Sequence, residues 1–398
     1  MITKKNQSES WTRREFVLAS GLLVAGGLIS CSEPTKKQTV TIPKKPVMPI
    51  DIRVRIGKQV KKIEIGDHVY THKSLNATPT TVEVEPNTII KIMGKPIIIT
   101  GAIVLHPTIS EKSEKEKTFD VVAHVPVEQY LPGVLAGELF AHWHFDTFAA
   151  QAVAARSYAI TQHHARKNKS HFDVTNTAAS QMFLGDITLD VAHRATKATA
   201  GVVLMWNNET IPAYYSACCG GLAATATDAI SGAAQHDIPP LQGHLGVDCC
   251  TTLQSHKWAA SRSARVLRKR INASAKTLNL AELEEIRTIK SIEPMAVNQH
   301  GRPTSLVIKG RKNENYVVRA RDFVRAINAP IQSLPKITEQ AWSSHLVGEK
   351  TRFDIQLTGF GMGHGVGLCQ YGAQELAGRG ESWQNILAWY YPQAQITI

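Results

Sequence analysis

Short β-branched runs alternate with Gly, Pro and Asn over residues 51–125. In chain order the runs read IRVRI, VKKIEI, TVEVE, TIIKI and IIITGAIVL. Because β-branched residues bounded by turn formers are typical of strands, this part of the chain predicts a β-rich scaffold. The charged residues 111–117 interrupt the pattern and predict an exposed hairpin tip or loop.

Helical spacing replaces the strand pattern after Pro126. Apolar residues then recur at Val127, Tyr130, Leu131, Val134 and Leu135. A Pro at a helix start is tolerated because its N–H would be unpaired there, whereas Pro132 predicts a kink or a break. A second, alanine-rich helix is predicted to begin with Asp146 as its cap and to run through Tyr158.

A further helix is predicted over residues 374–388, after a glycine-rich stretch. The order of these elements predicts an α+β fold: a β-rich scaffold over residues 51–125, then a region of residues 126–398 with a helical segment and a C-terminal glycine-rich loop plus helix. We expect a cleft between these parts.

The glycine-rich stretch, residues 359–373, reads GFGMGHGVGLCQYGA. Glycine lacks a Cβ and reaches positive φ, so backbone here could approach a ligand closely. We therefore interpret the stretch as one wall of a binding site, with ligand contacts from Gly363, His364, Gly365, Gln370 and Tyr371. The alternative is a glycine-rich turn that joins two strands.

Glu138 stands between the first two predicted helices, followed by Leu139, Phe140 and Trp143. Apolar surroundings favour the protonated form of a carboxyl group, which is the form that a general acid needs. A glutamic acid held near a glycosidic oxygen can protonate the leaving group. The alternative is a solvated glutamate between two helices.

The N-terminus predicts export. Basic residues, among them Arg13 and Arg14, precede a short apolar run over residues 16–29 that is too brief to span a membrane. TRREFVL resembles a twin-arginine signal, and LISC resembles a lipobox that would make Cys31 a lipid anchor. We assign residues 1–31 to this signal and residues 32–50 to a flexible tether; the alternative is a cleaved signal peptide with a chance cysteine.

The chain is strongly basic, with a formal charge of +12. Removal of residues 1–30, which hold four basic and two acidic residues, lowers this charge to +10. Such a field attracts an anionic partner, for instance a membrane surface or an acidic polysaccharide. Nucleic acid is not expected, because the chain carries no cluster of aromatics interleaved with Lys and Arg and is predicted to be exported.

Four segments, in order along the chain, resemble the SpoIID/LytB family of bacterial cell-wall proteins. The first is residues 125–159, VPVEQYLPGVLAGELFAHWHFDTFAAQAVAARSYA. The second is SQMFLG at 180–185, the third is YSACCGG at 215–221, and the last runs from the glycine-rich stretch to residue 396. The resemblance covers the chain from about residue 125 to the end.

The resemblance implies a lytic transglycosylase that cleaves the MurNAc–GlcNAc bond of glycan strands stripped of stem peptides. The catalytic glutamate of the family falls on Glu138, which would donate and then accept a proton while the 6-hydroxyl of the sugar forms a 1,6-anhydro product. Arg156 would bind a lactyl carboxylate, or else form a salt bridge that holds its helix. Tyr158 and Gln181 complete the implied substrate contacts, and no cofactor is implied.

The cysteines depart from the family pattern. Relatives can hold zinc just before the Gln that matches Gln181, but Val174, Ala179 and Ser180 stand where ligands would be needed, so no metal is expected there. In an exported protein the pairs Cys218-Cys219 and Cys249-Cys250 favour a disulfide between one member of each pair, with a zinc site of the four thiolates as the alternative. We expect Cys369 to be a packing residue and not a nucleophile.

Two other functions compete with the transglycosylase. A non-catalytic protein could bind glycan in the same groove and stimulate a wall amidase, as LytB-type relatives are thought to do. A hydrolytic muramidase would need a second carboxylate at a suitable separation, for which Asp146, Asp173 and Asp186 are the candidates. In each case we expect an exported protein at the outer face of the cytoplasmic membrane or in the periplasm.

Overall fold

The computed structural model describes residues 50–73, 78–110, 113–232, 234–253 and 256–397. The predicted export signal, Cys31 and almost all of the predicted tether lie outside these ranges. Within the described residues, no helix combines the length and the apolar character needed to cross a bilayer. Helices and sheets are both abundant in these ranges, which confirms the α+β prediction.

Eight strands form the N-terminal part. They are β1 (Asp51–Val60), β2 (Lys62–Ile65), β3 (His68–Thr71), β4 (Thr80–Val84), β5 (Ile89–Ile92), β6 (Lys95–Ile98), β7 (Gly101–Ser110) and β8 (Ser113–Pro126). β3, β2, β5 and β6 make one antiparallel sheet, while β4, β7, β8 and β1 make a second. The short β9 (Val174–Thr175) joins the second sheet parallel to β1, so a later part of the chain is fastened to the scaffold.

Two helices follow β8 directly. α1 (Val127–Glu138) runs through Pro132 without a break, and α2 (Phe145–Arg166) is long and alanine-rich. The sequence predicted Asp146 as the cap of α2, but the N-cap is His144. The Asp146 carboxylate instead accepts the backbone N–H of Trp383 at 2.9 Å. Most alanines on α2 are buried, and this lets the helix pack closely against a first hydrophobic core, which also contains residues of β1, β8 and α1.

The remaining elements around this core are short. They are α3 (Asp190–Ala198), β10 (Val203–Trp206), β11 (Glu209–Thr210), β12 (Tyr215–Ser216), α4 (Ala226–Ala229), and, near the C-terminus, β19 (Leu368–Cys369), α7 (Gln370–Gly378), α8 (Trp383–Tyr390) and β20 (Gln395–Thr397). β12 pairs with β19 in parallel, and β20 pairs with β10. The helix expected over residues 374–388 is therefore two helices, with Ser382 as the N-cap of α8.

A second core lies within the region that the sequence treats as one. β13 (Lys257–Ser263), β14 (Ser291–Val297), β15 (Pro303–Lys309), β16 (Asn315–Arg319), β17 (Leu346–Lys350) and β18 (Asp354–Phe360) form a six-stranded sheet, flanked by α5 (Ala264–Leu278) and α6 (Ala320–Asn328). Its buried residues, from Trp258 to Leu357, form a hydrophobic cluster separate from the first. The chain leaves this unit through β18 and returns directly into the glycine-rich stretch.

Candidate active site

Glu138 is the last residue of α1, and its side chain is held by two other segments. The residue is buried, with 6% of its surface exposed. Its Oε1 accepts the backbone N–H of Met182 at 2.9 Å, and its Oε2 accepts the side-chain amide of Gln370 at 3.2 Å. Three of the segments singled out in the sequence therefore meet at one carboxyl group.

Two glycines of α1 allow this approach. A Cβ at Gly133 would overlap the carbonyl oxygen of Gly185, and a Cβ at Gly137 would overlap that of Met182. Because these glycines are four residues apart, they lie on one face of the helix. The extended segment of residues 181–185 lies against that face, and this places the Met182 N–H at the Glu138 carboxyl group.

Gln181 holds this segment from within the core and does not face a substrate, contrary to the expectation from the sequence. The residue is fully buried. Its Nε2 donates to Ala155 O at 3.2 Å and to Tyr215 Oη at 3.1 Å, and its Oε1 accepts from Tyr130 Oη at 3.0 Å. With its amide engaged on both sides, Gln181 is a positioning residue for the Met182 backbone.

α7 is fixed against the turn between α1 and α2. The Gln374 Oε1 accepts the backbone N–H of His144 and the hydroxyl of Thr147, each at 3.0 Å. The rings of Trp143 and Tyr371 meet edge-on with 5.1 Å between their centroids. Tyr371, expected to contact substrate, is thus half-buried beside the Glu138 turn, one residue after Gln370.

The glycines of the glycine-rich stretch accommodate the protein's own chain, which corrects the interpretation of Gly363 and Gly365 as ligand contacts. Both have positive φ, and a Cβ would lie 2.8 Å from Ser216 Cβ at Gly363 and 2.8 Å from the Arg302 guanidinium at Gly365. A Cβ at Gly367 would overlap the carbonyl oxygen of Tyr214. The stretch is therefore packed against β12. This agrees better with the alternative interpretation, a glycine-rich connection between two strands.

A row of half-buried polar rings includes two of the predicted contacts, Tyr158 and His364. Tyr214 contacts both, at centroid distances of 5.9 Å and 6.0 Å, and its hydroxyl is 2.8 Å from His236 Nδ1. His364 Nδ1 accepts the Val366 N–H at 3.0 Å, so a neutral ring carries its proton on Nε2. Burial raises the pKa of Tyr214 and lowers that of His236, which keeps both groups uncharged near neutral pH.

The sequence did not single out Tyr214 or His236. Tyr214 lies directly before the YSACCGG segment, and the signal available in the sequence was the pair of adjacent tyrosines, Tyr214 and Tyr215. His236 lies in a loop with no recognisable motif, and only the folded chain brings it to Tyr214.

Arg156 does not face a cleft, so the expectation that it binds a substrate carboxylate is wrong for this structure. The residue is fully buried, and its Nε and Nη2 donate to the two oxygens of Glu128 at 2.8 Å and 2.7 Å. Its Nη1 donates to Val202 O at 3.1 Å. The alternative applies: Arg156 forms a bidentate salt bridge that joins α2 to α1.

The three candidate second carboxylates are engaged elsewhere. Asp146 accepts the backbone N–H of Trp383 at the start of α8, and Asp186 accepts the backbone N–H and the hydroxyl of Thr100 at 2.8 Å and 2.6 Å. Asp173 is buried against Arg53 and His163. Burial alone would raise the pKa of Asp173, but hydrogen bonds from Arg53 and His163 outweigh burial and hold that pKa below its usual value.

A cavity lies at the C-terminal end of α2, beside the Arg53 and His163 side chains that hold Asp173. Ile50, Asp51, Arg53, His124, His163, His164 and Lys167 line it. None of the predicted site residues is among them, so this cavity is not the site built around Glu138.

The predicted disulfide is absent from the described residues. Cys218, Cys219 and Cys250 are free thiols, so neither member of the first pair is bonded to Cys249 or Cys250. The sulfurs of Cys219 and Cys250 are 3.6 Å apart. Cys369, also free and buried, caps α7 by accepting the Gly372 N–H at 3.3 Å.

Fold and site together define an α+β protein in which a buried glutamate at a helix end is held by a backbone N–H and a glutamine amide. A family model described as SpoIID, Stage II sporulation protein, matches residues 115–206, which include Glu138. A second model, described as a domain of unknown function (DUF8618), matches residues 241–367 and so includes the second core.

Curated relatives agree with the first match. The chain is 29% identical over 276 residues to an uncharacterized protein of Brachyspira hyodysenteriae, covering 69% of this chain and 67% of that protein. It is 26% identical to the amidase enhancer of Bacillus subtilis, over 67% of this chain and 40% of the relative. It is 25% identical to the stage II sporulation protein D of the same organism, over 69% of this chain and 76% of the relative. The model match over residues 115–206 and the relatives named stage II sporulation protein D and amidase enhancer support membership of the SpoIID family.

Proposed function

We propose that this protein is an exported peptidoglycan lytic transglycosylase that cleaves MurNAc–GlcNAc bonds of glycan strands without stem peptides. Relatives named as a sporulation protein and an amidase enhancer support a function at the cell wall. The observation that carries the finer proposal is Glu138, a single buried carboxyl group at the meeting point of three family segments.

Glu138 performs both proton transfers in this proposal. Its carboxyl group donates a proton to the glycosidic oxygen as the bond to the MurNAc anomeric carbon breaks. The 6-hydroxyl of the same MurNAc then bonds to that carbon and returns a proton to Glu138. The enzyme ends in its starting protonation state, and water is not consumed.

The groups around Glu138 orient it and bind sugar. The Met182 N–H and the Gln370 amide fix the plane of the carboxyl group, which pre-organises the proton transfer. Tyr158, Tyr214 and His364 form a row of half-buried rings, and rings of this kind suit stacking against sugar faces and hydrogen bonds to hydroxyl groups.

The charge of the protein fits this substrate. Strands without stem peptides expose lactyl carboxylates, and the chain keeps a formal charge of +10 after removal of residues 1–30. Attraction between the two increases the rate of encounter at low ionic strength. The predicted lipid anchor at Cys31 would keep the enzyme at the membrane surface beside the wall.

Product analysis tests the proposal. Purified protein is incubated with intact and with amidase-treated peptidoglycan, and the products are identified by mass. We expect 1,6-anhydro ends from the amidase-treated substrate, loss of this product in Glu138→Gln, and full activity in the exposed control Glu209→Gln. Reducing ends that contain added water would contradict the lytic reaction, and equal cleavage by Glu138→Gln would contradict the role of Glu138.

A second candidate is a glycan-binding protein that stimulates a wall amidase. The match to the amidase enhancer favours it, together with the engagement of both Glu138 oxygens. This candidate predicts that the wild type releases no anhydro product but accelerates an added amidase equally well with Glu138 or Gln at this position. The hydrolytic alternative has less support, since Asp146, Asp173 and Asp186 each hold other parts of the fold together.

A further inference from the structure

Four atoms of the kind that bind metals meet in the first core beside α7. They are the sulfurs of Cys219, Cys250 and Cys369 and a carboxylate oxygen of Asp248, and all lie within 4.8 Å of one another. The four residues come from three separate segments, and none is more than 1% exposed. Cys218 is buried next to them but is not part of this four-atom set.

We propose that Cys219, Cys250, Cys369 and Asp248 bind one Zn²⁺ ion. Thiolates prefer zinc among the common divalent ions, and zinc takes four ligands at the corners of a tetrahedron. Zinc–sulfur bonds of about 2.3 Å place two such sulfurs about 3.8 Å apart. The sulfurs of Cys219 and Cys250 are 3.6 Å apart, close to that spacing and far from the spacing of a disulfide, about 2.05 Å.

Arg302 supplies an independent reason for negative charge at this place. It is 1% exposed, and its Nη1 donates to the carbonyl oxygens of Cys219 and Leu222. Its Nε and Nη2 are buried without a hydrogen-bond partner among the described residues. A buried cation needs a nearby counter-charge, which neutral thiols do not provide and a zinc–thiolate cluster with a carboxylate does.

Neighbouring groups also orient the ligands. The Cys369 sulfur accepts the backbone N–H of Cys219 and that of Gly372, each at 3.3 Å, an arrangement that stabilises a thiolate. Asp248 accepts the Cys250 N–H at 2.8 Å, and the Tyr390 hydroxyl at 2.7 Å. Such second contacts fix the direction of metal ligands.

The buried ring of His244 also lies beside the four ligands. Its Nε2 lies 3.4 Å from the Asp248 carboxylate, and neither ring nitrogen has a hydrogen-bond partner among the described residues. His244 therefore places a polar ring atom beside the carboxylate of the cluster.

A bound ion would fix the start of α7. Cys369 is the N-cap of that helix, and the next residue is Gln370, whose amide holds Glu138. The ion is then structural, with an indirect effect on the candidate active site through Gln370. This inference does not depend on the proposed reaction, and it replaces the disulfide that the sequence favoured.

Metal analysis of the full chain tests the inference. Protein purified under reducing conditions is analysed by mass spectrometry for bound metals, and we expect about one Zn²⁺ per chain. Cys219→Ser, Cys250→Ser and Cys369→Ser each lose the ion, Asp248→Asn releases it faster to a chelator, and the matched control Cys218→Ser keeps it.

A second measurement covers ligand variants that fail to fold. Wild type is stripped with a chelator and titrated with Co²⁺, which gives a thiolate-to-cobalt charge-transfer band in the near ultraviolet when three sulfurs bind. Zn²⁺ added afterwards abolishes the band and restores the thermal stability that the chelator removed.

Several results would overturn the proposal. Wild type that binds neither Zn²⁺ nor Co²⁺ would do so, as would a Cys219–Cys250 disulfide in peptide maps of protein prepared without reductant. Retention of zinc by Cys369→Ser, or its loss from Cys218→Ser, would show that the ligand set is wrong.

Discussion

Loss of the Glu128 carboxylate tests whether Arg156 has a structural role or binds substrate. Glu128→Gln removes the carboxylate but leaves the guanidinium intact, together with its bond to Val202 O. If Arg156 is structural, the variant leaves a fully buried positive charge with no anionic partner. If Arg156 were a substrate contact, the variant would free it to bind a lactyl carboxylate.

The expected loss of stability follows from burial. Breaking a buried ion pair by removing one partner costs about 3–5 kcal/mol. The Glu128 side chain is 37% exposed, so water reaches this end of the pair, and we expect the lower end of that range, about 3 kcal/mol. With a urea dependence of roughly 3 kcal/mol per M, the midpoint of unfolding falls by about 1 M.

Urea unfolding followed by circular dichroism measures this shift, and sedimentation with amidase-treated peptidoglycan measures binding. Arg156→Met is expected to lower the midpoint as well, since it strands Glu128 and the Val202 carbonyl. Binding per folded molecule should be unchanged in both variants. A Glu128→Gln protein as stable as wild type, with Arg156→Met defective only in binding, would refute the structural role.

Three further predictions concern single contacts. Gln370→Ala removes a hydrogen bond to Glu138 and is expected to lower kcat roughly 10- to 100-fold with KM unchanged, measured as anhydro product; an unchanged kcat would contradict its orienting role. Gly367→Ala is expected to lower the free energy of unfolding by more than about 2 kcal/mol, because its Cβ would overlap Tyr214 O. Gly380 also has positive φ but open space around it, so Gly380→Ala should lower that free energy by only about 1 kcal/mol. Equal losses in the two variants would show that packing at Gly367 is not the cause. Because the pKa of Asp173 is lowered in the folded protein, its contribution to stability is complete above its usual pKa of about 4 and is lost as pH falls through the lowered value. Asp173→Asn should therefore be less stable than wild type at neutral pH, and its free energy of unfolding should fall less steeply as the pH becomes acidic. Parallel plots of unfolding free energy against pH for the two proteins would count against this prediction.

The sequence was informative where a local pattern determines the structure. Apolar periodicity predicted the strands of the scaffold and both helices around Glu138, and the ordered segments predicted that Glu138 and the glycine-rich stretch face each other. The hydrogen bond between Gln370 and Glu138 gives that juxtaposition a definite contact.

Pairings across the fold were beyond the sequence. Arg156 and Glu128 are 28 residues apart, and nothing in either residue reveals that one is fully buried against the other. The glycines of the glycine-rich stretch were misinterpreted for a different reason. Close approach to a ligand and close approach to β12 both require a residue without a Cβ, so the sequence cannot distinguish them. The second core was missed because its elements carry ordinary amphipathic patterns, without a linker that marks a boundary.

Cys369 shows how a correct local expectation can be incomplete. It is a buried residue at the start of α7, as expected for packing, but its sulfur meets those of Cys219 and Cys250 from remote segments. Spacing along the chain does not reveal this convergence, because the three cysteines lack the short intervals of common zinc motifs.

In the proposed reaction, Glu138 makes a 1,6-anhydro product from strands without stem peptides. The most direct test of this reaction is the mass of the sugar ends released from amidase-treated peptidoglycan by wild type and by Glu138→Gln. We expect anhydro ends from the wild type and none from the variant, with the variant still folded and bound to glycan. Hydrated reducing ends, no cleavage by the wild type, or undiminished cleavage by Glu138→Gln would contradict the proposed reaction.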